Sequence, residues 1–120
     1  MSDDQGRERA QRPEDLSRFV LERLNAGDVD GLVALYEPDG LLALPGGQTA
    51  SGSEEIRKAY EHLVAGKPTF TPGTQLPTVR NGDLALTSTR LAGGDVTVEI
   101  ARRQPDGTWL WVLDQPSLLG

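Results

Sequence analysis

No cysteine occurs in the 120-residue sequence, which excludes disulfides and thiolate chemistry and leaves the redox compartment unread. The single histidine, His62, excludes a histidine-rich metal centre, and neither a metal nor a cofactor is expected. Basic residues are in deficit: 12 Lys and Arg face 18 Asp and Glu, a net charge of -6. That balance argues against a nucleic-acid partner, which would call for a basic stripe. No apolar run approaches the roughly 20 residues that cross a bilayer. Residues 1–15 are polar and charged, without an apolar segment of signal-peptide type. The expectation is a cytoplasmic protein with no membrane partner.

Aromatic residues are also scarce, with two each of Trp, Tyr and Phe. What is present is apolar periodicity punctuated by turn residues. Residues 1–13 mix both charge signs and read as a disordered N-terminal tail. From Glu14, the apolar residues Leu16, Phe19, Val20 and Leu24 recur at helical spacing, and Gly27 closes this first helix. Asp28 suits the N-cap of a short second helix, Val29 to Tyr36. Pro38-Asp39-Gly40 reads as a turn and Leu41 to Leu44 as a short strand. A third helix opens at Ser53 with the stripe Ile56, Tyr60, Leu63 and Val64, and Gly66 and Pro68 end it.

The second half reads as strands throughout. Thr69 to Thr71 and Gln75 to Val79 form a strand interrupted by Pro72-Gly73, and Asp83 to Leu91 and Val96 to Gln104 follow. The last pair turns at Asp106-Gly107, a strong hairpin signal. With those two residues as the loop, Glu99 stands opposite Asp114 on one face. Trp109 and Trp111 fall on the other face with Val98, Ile100 and Leu113. With Gly93-Gly94 as the preceding loop, Ser88 stands opposite Glu99, and Arg90 and Arg103 share its face. The order of elements gives an α+β domain over residues 14–118, with three N-terminal helices packed on a curved antiparallel sheet.

Three segments carry a family resemblance: Leu24 to Tyr36 (LNAGDVDGLVALY), Gly52 to Tyr60 (GSEEIRKAY) and Arg103 to Trp109 (RQPDGTW). In this order they resemble the nuclear-transport-factor-2-like superfamily, in its SnoaL-like and ketosteroid-isomerase-like branch. The ending resembles the bacterial group described as SgcJ/EcaC-like. The resemblance implies a cone-shaped fold, an apolar cavity between sheet and helices, and a homodimer formed through the outer sheet face. It also implies that the familiar isomerase chemistry is incomplete. The general-base aspartate before a proline falls on Leu44, and the tyrosine of the first helix falls on Val20. The surviving acid falls on Glu99 and a supporting tyrosine on Tyr60.

Two acids directly opposite each other are unfavourable without a reason. If Glu99 and Asp114 share a low-dielectric pocket, one holds a proton near neutrality, and the pair can act as general acid and base. Hydrophobicity alone instead makes the tryptophan face the core and leaves the acids in solvent. The resemblance implies the reverse, with Glu99 inward and the tryptophans at the dimer interface. The pocket is then expected to be lined by Tyr36, Tyr60, Leu44, Val20, Ser88 and Val112. His62 lies off the apolar stripe and reads as a surface residue. The reading that follows is a domain binding a small apolar ligand. An isomerase, cyclase or dehydratase using Glu99 and Asp114 is the second reading, and a dimerisation module without a ligand the third.

Overall fold

The computed structural model describes residues 6–118. The expected tail therefore lies outside the described residues over 1–5. Over 7–13 the structure differs from that expectation, because side chains and backbone tie this segment down. Arg7 forms a two-pronged pair with Asp28 at 2.8 and 2.9 Å. The Ala10 carbonyl accepts the Trp109 N–H at 3.0 Å, and Arg9 reaches Asp106 at 2.8 Å. Arg7, beside Asp28, holds that carboxyl below its ordinary range.

Helix α1 spans Asp15–Ala26 and buries Leu16 and Phe19. It ends at Gly27, whose φ of 67° makes a left-handed cap. Helix α2 (Val29–Val33) starts at Asp28, whose side chain accepts from the Gly31 N–H. It is shorter than the helix expected to reach Tyr36, because the chain extends early into β1 (Tyr36–Ala43). The expected Pro38-Asp39-Gly40 turn lies inside β1, where the register with its neighbour shifts between Tyr36 and Leu41. A 3-10 turn over Pro45–Gly47 and a short strand β2 (Thr49–Ser51) lead into α3 (Gly52–Ala65), which buries Ile56 and Tyr60. Then come β3 (Thr74–Gln75), β4 (Val79–Asn81), β5 (Leu84–Arg90), β6 (Val96–Arg103) and β7 (Trp109–Gln115).

The strands form one sheet in the order β2-β1-β7-β6-β5-β3, with β4 also on β5. Against expectation the sheet is mixed, because β1 and β7 run parallel. The three helices cover its inner face.

Two irregularities decide which side chains face the helices. The hairpin loop is one residue longer than the Asp-Gly pair: Gln104 and Thr108 close it, and Arg103 pairs with Trp109. Only Gly107 takes positive φ, at 84°, so this is not a type I′ turn. Then β7 carries a bulge: Ala101 faces Trp111, but Ile100 faces Leu113, leaving Val112 as the extra residue. The two deviations cancel at Glu99, which does pair with Asp114. They do not cancel for facing. The bulge lets Trp109, Trp111 and Asp114 all point inward, at 2 %, 1 % and 5 % exposure. The expected separation of tryptophans and acids onto opposite faces is corrected accordingly.

The β5–β6 register is also one residue from expectation. Thr87, not Ser88, stands opposite Glu99, and Arg90 pairs with Val96. Ser88 and Arg90 thereby alternate onto the outer face. Gly107→Ala should lower stability by about 1 kcal/mol through its positive φ, read as a lower urea midpoint. Gly93→Ala, in a turn without that constraint, should leave the midpoint unchanged or slightly raised.

Candidate functional site

The inner face of the sheet reads in rows. Thr89 and Thr97 form one row, Thr87, Glu99 and Asp114 the next, and Ala85, Ala101 and Trp111 the third. Leu42 on β1 continues the acid row, and Tyr36 continues the tryptophan row. Above these rows, between sheet and helices, lies a cavity of about 1310 Å³. Its walls are mainly apolar side chains of α1, α3 and the segment after β1, and Glu99, Asp114 and Trp111 belong to its sheet side. Such a volume accommodates a small organic molecule.

Both acids are buried, Glu99 at 3 % and Asp114 at 5 % exposure. No salt bridge reaches either one among the described residues. Hydroxyl groups do: Tyr36 Oη donates to Asp114 Oδ2 at 2.5 Å, and Tyr36 and Tyr60 hydroxyls meet at 2.6 Å. Thr87 Oγ1 donates to Glu99 Oε1 at 2.8 Å. Burial pushes the Asp114 carboxyl up to about 7, the Tyr36 hydroxyl opposes this, and the Glu99 charge adds to it. Glu99 is also raised, mainly by burial, with the Thr97 and Thr87 hydroxyls pulling back. Burial holds both tyrosines well above the ordinary phenol range, with the Asp114 charge adding. Burial thus favours the protonated form of both carboxyls, with Asp114 raised to about 7. The arrangement can donate from one acid and accept at the other.

Of the expected pocket residues, Val20, Leu44, Tyr60, Glu99 and Asp114 stand in the cavity wall. Tyr36 sits behind it, buried, with its hydroxyl on Asp114. Ser88 and Val112 are not in the wall, the first because of the register change and the second because it is the bulged residue. Arg103 bonds Asp83 rather than either buried acid. His62 reaches the rim from the exposed side of α3. Sequence reasoning misses Trp111, Thr87, Thr89 and Thr97. The three threonines alternate along β5 and β6 and could be found once the register is known, whereas nothing in the sequence announces the bulge that turns Trp111 inward. Among the described residues, no group of His, Cys, Asp and Glu has the arrangement of a metal site. No helix among them is long and apolar enough to cross a membrane.

The model of the SnoaL-like domain matches residues 16–114. Solved structures share the fold at low identity. A ketosteroid isomerase-like protein from Erwinia carotovora atroseptica is 22 % identical, with a TM-score of 0.72 and coverage of 89 % of this chain and 93 % of that one. An NTF2-like protein with a cystatin-like fold from Novosphingobium aromaticivorans is 23 % identical, with a TM-score of 0.67 and coverage of 88 % and 78 %. A candidate dehydratase of the NTF2-like family from Streptomyces avermitilis is 18 % identical, with a TM-score of 0.70 and coverage of 88 % and 94 %. Among curated proteins, no sequence matches the chain.

The raised Asp114 carboxyl has a pH signature. Its folded-state proton is bound more tightly than in the unfolded chain, so stability falls as pH rises from 3.8 towards about 7, then levels. Asp28 and Asp106, held low, act the other way, and their contribution is lost only as pH falls below 3.8. Asp114→Asn keeps an acceptor for Tyr36 and should flatten the decline between pH 5 and 7, measured as urea midpoints. An equal decline in the variant would show that Asp114 does not titrate there.

Proposed function

The chain is a member of the SnoaL-like domain family, within the nuclear-transport-factor-2-like superfamily, and on that premise we propose that it binds a small, mostly apolar molecule in the cavity between sheet and helices. The observation that carries this reading is the cavity itself, whose apolar walls converge on one buried polar cluster, Tyr60, Tyr36, Asp114 and Glu99. Folding retains two carboxylic acids there without a cation, at a desolvation cost that packing alone does not require. Leu44 and Val20 occupy the positions that the isomerase resemblance assigns to a base and a hydroxyl donor, so steroid isomerisation by the familiar route lacks two of its groups.

Nile red tests the binding reading. It should show saturable fluorescence enhancement on the full chain. Leu44→Glu, which sets a charge in the half-buried apolar wall, should weaken that response at least about 10-fold. A non-saturable response, or one unaffected by the substitution, would count against the cavity as a ligand site.

A second reading is an enzyme of isomerase, cyclase or dehydratase type, and the burial of two carboxyls in one hydroxyl-bonded cluster, with Asp114 raised to about 7, favours it. Asp114 would act as the acid and Glu99 as the base.

The outer sheet face supports a homodimer. Leu86, Ile100 and Leu113 form one cross-strand row there, and Leu84, Leu86 and Leu113 are about two-fifths exposed. A second copy covers such a patch. The tryptophans take no part, being buried on the inner face. Light scattering at micromolar concentration should give a dimer, and Leu86→Lys combined with Leu113→Lys should give a monomer. A monomeric parent chain would overturn the proposal.

A further inference from the structure

We infer that the cavity selects a molecule carrying a neutral oxygen acceptor, a ketone or an alcohol, and that the Trp111 indole N–H is the donor that holds this oxygen. The inference rests on the proposed role of the cavity as a ligand site and adds the ligand's chemistry to it.

Two buried side-chain polar atoms among the described residues have no hydrogen-bond partner, Trp111 Nε1 and Thr89 Oγ1. Both residues stand in the wall of the same cavity. A buried indole N–H ordinarily finds an acceptor, and an unsatisfied one in a native structure requires a reason. A threonine hydroxyl can donate or accept, so Thr89 says little about its partner. An indole nitrogen only donates, so Trp111 specifies an acceptor.

The neighbours of Trp111 limit what that acceptor can be. The next row along the inner face holds Glu99 and Asp114, roughly 7 Å away along the strands. The cationic residues of the wall, Arg18 and Lys58, are on the exposed sides of α1 and α3. A carboxylate bound at Trp111 would therefore face two acids with no nearby cation to compensate it. A ketone avoids that repulsion. An alcohol avoids it too and can donate to Asp114 or Glu99 while accepting from the indole.

The nitrogen itself is covered in this structure, so engagement requires the indole to turn toward the cavity as the ligand seats. Its cross-strand neighbours are small. Ala101 stands opposite Trp111, and Ala85 stands beyond Ala101, so no bulky side chain confines the ring from that direction. On the other side the Tyr36 ring packs edge-on, with centroids 5.4 Å apart.

The experiment uses the full chain labelled with ¹⁵N and three probes on one skeleton: fluorene, 9-fluorenone and fluorene-9-carboxylate. Two indole N–H signals are expected, from Trp109 and Trp111, and Trp111→Phe assigns them. Fluorenone should bind roughly 5-fold more tightly than fluorene, the worth of one added hydrogen bond. It should move the Trp111 signal downfield and leave that of Trp109 in place. Fluorene is the more hydrophobic of the two, so apolar burial cannot create that preference. The carboxylate should bind most weakly, and Trp111→Phe should erase the difference between fluorenone and fluorene. If that variant does not fold, Trp109→Phe assigns the two signals instead, and the indole shift in the parent chain is then a sufficient reading. Equal binding of fluorene and fluorenone with an unmoved Trp111 signal would overturn this inference and leave the cavity as a ligand site. Absence of saturable binding by all three probes would overturn both.

Discussion

The bulge at Val112 is the constraint on which the site depends. A strand alternates its side chains, so without the extra residue Trp111 and Asp114 would point to opposite faces. Either the tryptophan would lie outside and the core would lose its largest side chain, or the acid would lie in solvent and the cavity would lose its polar centre. One unpaired residue removes the choice. The inner face keeps Trp109 and Trp111 buried and still aims Asp114 at Tyr36.

The polar centre is held by hydroxyls rather than by charges. Tyr60, Tyr36, Thr87 and Thr97 surround two acids that no arginine or lysine pairs with among the described residues. This leaves both carboxyls raised by burial. A buried guanidinium would lower both carboxyls and fix them as anions. Hydroxyls only moderate the effect of burial, so a proton remains available to a ligand or to a reaction.

Much of the fold is legible in the sequence, and the reasons are local. The stripes of α1 and α3 have helical spacing, Gly27 and Asp28 carry cap chemistry, and Gly107 marks the last hairpin. The errors come from features that no single position declares. The β1–β7 pairing is parallel and long-range, so nothing near Leu41 signals that its partner is Leu113. The Asp106-Gly107 pair suggests a two-residue loop, but Asp106 keeps negative φ and Pro105 joins the turn. That error and the bulge offset each other, so the Glu99–Asp114 pairing is right while the facing of the tryptophans is not. Ser88 is displaced from the site for the same kind of reason, a one-residue register in a loop of two glycines.

The place of β7 in the sheet has a consequence for the order of assembly. It is the last of the described strands, yet it lies between β1 and β6 and bonds to both. The helices and β1 thus emerge from the ribosome long before the strand that joins them to the β5–β6 hairpin. Until it arrives, Leu16, Phe19, Leu32 and Ile56 have only half a sheet to pack against. The contacts that close the domain are therefore among its longest in sequence, a topology that slows folding relative to local hairpins. The strand that completes the fold, Trp109–Gln115, is also the one that brings Trp111 and Asp114 to the cavity floor.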